Sequence, residues 1–165
     1  MFLTLGGKPL GTESNLHGSR SIVARHRGTR LRLPKSKDLL FDLDNFKAFN
    51  DAYGHVEGDQ VLKRIGQVLE RCLRLEDVGY RYGGEEFTVL LPMTTRAAGA
   101  VVAERIRTEI KKQSFSPTSG TDVHLTVSMG LAQYRPQEEM KAFVHRTDQL
   151  MYQAKLNGKD TVCAE

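Results

Sequence analysis

The stretch Val78-Gly-Tyr-Arg-Tyr-Gly-Gly-Glu-Glu-Phe-Thr-Val-Leu-Leu91 holds two short runs of strand-favouring residues around Gly83 and Gly84. Val78, Tyr80 and Tyr82 form the first run and residues 87–91 the second; a Gly-Gly pair between two such runs signals a tight hairpin. Upstream, Leu39, Leu40, Phe41 and Leu43 read as a short strand that ends in Asp42 and Asp44. Asn45 opens a helical segment through Phe46, Phe49 and Tyr53, which Gly54 stops. Val61, Leu62, Ile65, Val68, Leu69, Cys72 and Leu73 then recur with the period of an amphipathic helix over residues 57–73.

Downstream of the hairpin, Thr95 is a candidate N-cap for a helix that carries Ala98, Val101, Val102, Ile106 and Ile110. Val123, Leu125, Val127 and Met129 alternate with polar residues as in a half-buried strand running to Gly130. A last helix is expected over 136–157, with Met140, Phe143, Val144, Leu150, Met151 and Ala154 inward and Gly158 as its stop. A final strand follows it. The order strand, helix, helix, strand, strand, helix, strand, helix, strand predicts an α+β sandwich with helices packed on a partly antiparallel sheet.

A chain of 165 residues with 39% hydrophobic and 27% charged residues can bury one globular core. No apolar run approaches the roughly 20 residues of a membrane span. Two cysteines, Cys72 and Cys163, make neither a disulfide framework nor a zinc site, so a cytoplasmic location is expected. The net charge of +4 is unevenly spread. Residues 1–37 hold 8 Lys and Arg against Glu13, giving +7, and the remaining 128 residues hold 16 against 19, giving −3. A slightly acidic body argues against nucleic acid as a partner. The basic, glycine-rich 1–37 segment shows no sustained period and is set apart from a catalytic domain over 38–165, its order left open by the sequence.

Two acidic clusters stand where side chains are exposed to use: Asp42 and Asp44 at a strand end, and Glu85 and Glu86 after the glycines. Carboxylates so placed can converge on Mg²⁺, which takes one or two of them with phosphate oxygens and water. They can equally cap a helix and solvate a turn. Gly83 and Gly84 allow close approach of backbone amides to a ligand, and a hairpin needs such residues for its own sake. Lys155 and Lys159, one turn apart, can neutralise phosphates or complement a helix dipole.

Phe41-Asp-Leu-Asp-Asn-Phe-Lys-Ala-Phe-Asn50, Asp51-Ala-Tyr-Gly-His-Val-Glu-Gly-Asp59 and Arg81-Tyr-Gly-Gly-Glu-Glu-Phe87 together resemble the GGDEF family of bacterial diguanylate cyclases, in its Gly-Gly-Glu-Glu-Phe variant. The likeness runs on through Ala103-Glu-Arg-Ile-Arg107, Leu125-Thr-Val-Ser-Met-Gly130 and Met151-Tyr-Gln-Ala-Lys-Leu-Asn-Gly-Lys159. It implies the fold of the nucleotidyl-cyclase and polymerase-palm group, a central mixed sheet flanked by helices. It also implies condensation of two GTP to cyclic di-GMP with release of pyrophosphate, one GTP on each protomer of a facing homodimer.

By position, the resemblance gives Asp42, the Leu43 carbonyl and Glu85 to two Mg²⁺ per active site, with Mn²⁺ as an alternative, and Glu86 to the same centre. Asn50 and Asp59 would read guanine, and Lys47, Lys155 and Lys159 would meet the triphosphate beside Gly83 and Gly84. The last is usually Arg in the family, and Lys lacks its bidentate geometry. Arg74 and Asp77, spaced as the family's RxxD motif, with Arg105, would form a product-binding inhibitory site; the other reading of Arg74 and Asp77 is an i, i+3 ion pair at a helix end. The family's first helix normally follows Leu-Thr-Gly-Leu-x-Asn-Arg, of which Phe2-Leu-Thr-Leu-Gly-Gly remains, and Ser36, Lys37 and Asp38 replace apolar residues, so a shortened strand is expected. The alternative function is a non-catalytic module that binds GTP or cyclic di-GMP; a cyclase for ATP fits Asn50 and Asp59 less well. An upstream sensor or dimerisation domain is expected beyond this chain, with no membrane contact from the chain itself.

Overall fold

The computed structural model describes residues 36–118 and 120–165. Expectations for 1–37 lie outside the described residues except at Ser36 and Lys37. In chain order the elements are β1 (Lys37–Leu43), α1 (Phe46–Tyr53), α2 (His55–Cys72), β2 (Val78–Gly83), β3 (Glu86–Leu91), α3 (Arg96–Lys111), β4 (Phe115–Thr118), β5 (Thr121–Val123), β6 (Val127–Gln133), α4 (Met140–Leu156) and β7 (Val162–Ala164). Five strands form one sheet in the order β2-β3-β1-β6-β7, antiparallel except for the β6-β7 pair. Helices pack on both faces, so the expected α+β sandwich with a mixed central sheet is the observed one.

The pleat sorts β1 between two layers. Leu39, Phe41 and Leu43 lie in register with Val89, Phe87 and Val127, Met129, Leu131 of the flanking strands, and together with Val61, Ile65, Leu69, Val102 and Ile106 they make the main core. Phe41 and Phe87 stack with centroids 5.4 Å apart, an arrangement worth roughly 0.5–1.5 kcal/mol beyond burial. The alternate residues Asp38, Leu40 and Asp42 share the other face with Thr88, Glu86, Gly130 and Ser128, where α4 packs.

Four expectations need correction. The strand before Asp42 is not shortened: it begins at Lys37, and all seven of its residues are buried. Lys37 is tolerated there because its Nζ donates to Gln133 Oε1 at 2.5 Å, and burial, then the charge of Arg96, lowers its pKa. Ser36 also belongs to the folded body, its carbonyl accepting from the Tyr134 amide at 3.0 Å. The alternation over 123–130 is not one strand, because β5 pairs with β4 in a separate hairpin and β6 starts only at Val127. The last helix starts at Met140, since residues 135–138 are held in a turn by reciprocal bonds between Arg135 and Glu138. Val101 is 65% exposed, for the buried stripe of α3 runs through Gly99, Val102, Ala103, Ile106 and Ile110.

Gly130 fixes how closely α4 approaches the sheet. A methyl group there would overlap the Thr147 carbonyl oxygen and stand 2.5 Å from the Met151 nitrogen, both backbone atoms of the helix. Gly130→Ala is therefore expected to destabilise the domain by about 1–3 kcal/mol, the usual cost of overpacking. An unchanged midpoint in urea unfolding would contradict this packing.

Candidate active site

β1 hydrogen-bonds on both sides, and its register places Asp42 opposite Glu86 of β3 and Ser128 of β6. The β2-β3 hairpin closes on Gly83 and Glu86, so Gly84 and Glu85 are the turn itself, with Gly84 at φ 49°. Glu85 thus sits in the turn rather than just past it. Arg81 Nε donates to the Gly84 carbonyl at 2.8 Å and pins that turn. Three acidic residues of the sequence reading, Asp42, Glu85 and Glu86, are brought to one end of β1.

The electrostatics of this end are those of a crowded anionic site. Burial pushes the Asp42 carboxyl above its usual range, while Lys155, 2.9 Å from Oδ1, works in the opposite direction. Burial and then the charges of Asp42, Asp148 and Glu85 push Glu86 up, with Lys155 again opposing. Hard oxygen donors gathered around one lysine suit a divalent cation of the Mg²⁺ type. Among the described residues no three His, Cys, Asp or Glu side chains form a metal cage by themselves.

Asp44, read from sequence as a helix cap or a second site carboxylate, does neither. Asn45 enters α1 with φ 61° and no side-chain cap, and Asp44 is buried with Oδ2 accepting from Thr126 Oγ1 at 2.7 Å and Oδ1 from Ser128 Oγ at 2.6 Å. It staples the end of β1 to the start of β6. Lys159 Nζ donates to Asn45 Oδ1 at 2.7 Å, so Lys155 and Lys159 both reach the β1-α1 junction. Lys47 is exposed in the first turn of α1.

Asn50 lies in α1, and its Oδ1 is buried with no hydrogen-bond partner among the described residues. An acceptor left so costs about 1–3 kcal/mol unless a ligand donates to it. The close α1-α2 approach depends on Gly58, where a methyl would overlap that same Oδ1. Asp59 follows at once and is exposed. Sequence reasoning did not single out Gly58 or Asp148; a glycine inside an amphipathic helix was the available signal for the first, and Asp148 gave none.

Some 30 positions along the chain, Arg74, Asp77 and Arg105 also come together. Asp77 is buried, which pushes its carboxyl above the usual range, while the Arg74 amide that donates to its Oδ2 at 3.0 Å and the charges of Arg74 and Arg105 oppose that rise. Arg105 Nη2 donates to the Cys72 carbonyl at the end of α2 at 2.6 Å. The contact between Arg74 and Asp77 thus runs through the backbone and not through a helix-end ion pair, and the Arg74 side chain is exposed.

The family model for the GGDEF domain of diguanylate cyclases matches residues 26–161. The chain belongs to the GGDEF family. Diguanylate cyclase A of Treponema denticola is 40% identical over 125 residues, covering 75% of this chain and 33% of that protein. Diguanylate cyclase DgcM of Escherichia coli is 40% identical over 126 residues, covering 76% and 30%. The chain thus spans about a third of the length of these curated relatives. Among solved structures, the GGDEF domain of DgcB from Caulobacter crescentus in complex with c-di-GMP aligns with a TM-score of 0.74 at 33% identity over 78% of this chain and 77% of that one. The active GGEEF domain of a diguanylate cyclase from Vibrio cholerae aligns with a TM-score of 0.72 at 28% identity over 78% and 81%. In this GGDEF domain no helix among the described residues is long and apolar enough to cross a membrane.

The α4 face of the GGDEF sheet also buries Asp38, whose carboxyl accepts from Thr88 Oγ1 at 2.6 Å. Burial raises its pKa from 3.8 to about 6, and the Thr88 and Thr147 hydrogen bonds offset only part of that. Between those values the folded form binds the extra proton, so stability is greatest below the lower one, falls as pH rises to the upper one, and is level above it. Asp38→Asn, which keeps an acceptor for Thr88, is expected to gain more stability over the native chain at pH 7.5 than at pH 4, by up to about 3 kcal/mol. Equal differences at both pH values would contradict a proton bound at Asp38.

Proposed function

We propose that this domain is a diguanylate cyclase that condenses two GTP to cyclic di-GMP with release of two pyrophosphates. The observation that carries the reading is the convergence of Asp42, Glu85 and Glu86 at the end of β1, with Lys155 on Asp42 and Lys159 on the adjoining Asn45. The catalytic body then includes Ser36 and Lys37 and so reaches slightly beyond the expected 38–165.

In this reading Asn50 and Asp59 hold guanine. The N1–H and 2-amino group of guanine are donors that match the unpaired Asn50 acceptor and a carboxylate, and adenine lacks that donor pair. Lys47, Lys155 and Lys159 neutralise the triphosphate, and the Gly83 and Gly84 backbone lets it lie close to the hairpin. Asp42, the Leu43 carbonyl and Glu85 would hold two Mg²⁺, which supply, when bound, polarisation of the α-phosphoryl group and a lower cost of deprotonating the 3′-hydroxyl. Lys155 occupies Asp42 and serves the phosphates by turning away from it. Glu86 keeps the negative field of the centre beside Asp42. Each 3′-oxygen bonds to the α-phosphorus of the other GTP as the bond to pyrophosphate breaks, which requires two protomers face to face.

Arg74, Asp77 and Arg105 form the inhibitory site in this account. Arg pairs with phosphate and stacks on a base, and the exposure of Arg74 supports this reading.

The purified chain at high concentration with GTP and Mg²⁺ is expected to form cyclic di-GMP, identified by chromatography and mass, and Glu85→Gln to lower the rate by at least about a hundredfold. Product formation undiminished in Glu85→Gln would overturn its metal role. Binding of GTP without any product from the native chain would favour a regulatory binding module. Arg74→Ala is expected to keep basal turnover and to raise the cyclic di-GMP concentration for half-inhibition about tenfold or more, the loss of a charged hydrogen bond; an unchanged inhibition curve would contradict the site.

A further inference from the structure

After α4 the chain passes through three consecutive left-handed residues, Gly158 at φ 105°, Lys159 at φ 66° and Asp160 at φ 47°. Glycine adopts this conformation freely, whereas Lys and Asp hold it only where the surroundings fix it. Here they are fixed from two sides. The Asp160 carboxylate accepts from Arg107 and, at 2.6 Å, from Lys111 Nζ, both on α3, and the Asp160 carbonyl accepts from Arg107 Nη1 at 3.1 Å. The Asp160 amide donates to Asp44 Oδ2 at 3.1 Å, and that carboxylate is itself held by Thr126 and Ser128. Between these anchors Lys159 is carried to Asn45, beside the carboxylates of the site.

We propose that Asp160 is a positioning residue for the triphosphate: it ties the turn to α3 and to Asp44 so that Lys159 projects its ammonium over the β1-α1 junction. This rests on the reading that Lys159 meets phosphate. Arg107 and Lys111 act by the same route, from a helix whose Arg105 lies at the other candidate site.

The test compares binding of guanosine with that of a GTP analogue bridged by methylene between the α and β phosphorus atoms, by calorimetry with Mg²⁺. The native chain, Asp160→Ala, Lys159→Ala and the double variant are measured, with Arg107→Gln as a second way to release the turn. Asp160→Ala is expected to weaken the analogue about tenfold, the scale of one charged contact, with guanosine affinity unchanged. The double variant should bind the analogue no more weakly than Lys159→Ala alone, because both remove one interaction. Arg107→Gln should move the analogue in the same direction. Native-like affinity for the analogue in Asp160→Ala and Arg107→Gln, full additivity with Lys159→Ala, or equal loss of guanosine and analogue binding would each overturn the positioning role. A native chain that does not prefer the analogue over guanosine would overturn the phosphate reading itself.

Discussion

A strand paired on both sides can offer a carboxylate to a ligand only near its end, and β1 is such a strand. β3 and β6 flank it over its length, and α4 covers one face while the main core covers the other. Asp38, one residue from the start of β1 and closed in beside Thr88, is driven toward its neutral form, whereas Asp42, one residue from the other end, keeps a lysine beside it that opposes the same effect of burial. The same side-chain chemistry is therefore structural at one position and available at the other. Register does the rest: because Phe41 must face Phe87 in the core, Asp42 must face Glu86 outside it.

The junction after β1 is held as firmly as the strand. Asp44 gathers two hydroxyls and a backbone amide from segments more than 80 residues away, and Asn45, Lys159 and Asp160 all carry positive φ around it. Such strain gathers at functional sites where neighbouring structure overdetermines the backbone. The candidate site is thus built on fixed elements, the end of a central strand and a tight hairpin, with a restrained turn beside them.

Much of this was legible in the sequence because its signals are local. The glycine pair marks the hairpin, the apolar period marks α2, Thr95 marks the start of α3, where its hydroxyl accepts from Ala98 N at 3.2 Å, and Asp42, Glu85 and Glu86 stand out as acids at a strand end and a glycine turn. What escaped depends on distant partners. Lys37 and Asp38 look like the end of a strand until Gln133 and Thr88, 96 and 50 residues away, are seen to satisfy them. The β4-β5 hairpin is short and polar, so it carries almost no pattern of its own. Asp44 reads as a site carboxylate because its neighbour Asp42 is one, and only the fold shows its two oxygens already engaged. Asp148 joins the anionic cluster from the far end of the chain, where an isolated acid on a helix face means nothing by itself.

A single metal and nucleotide site at the end of β1 and the glycine hairpin, as proposed, is reported directly by Mn²⁺ through paramagnetic broadening of backbone amide signals. In a chain saturated with a non-reacting GTP analogue, substoichiometric Mn²⁺ is expected to broaden first the amides of residues 42–45 and 83–86 and the adjoining turn at 159–160. Broadening that begins elsewhere, or a spread over the acidic surface without preference for these three segments, would contradict the account.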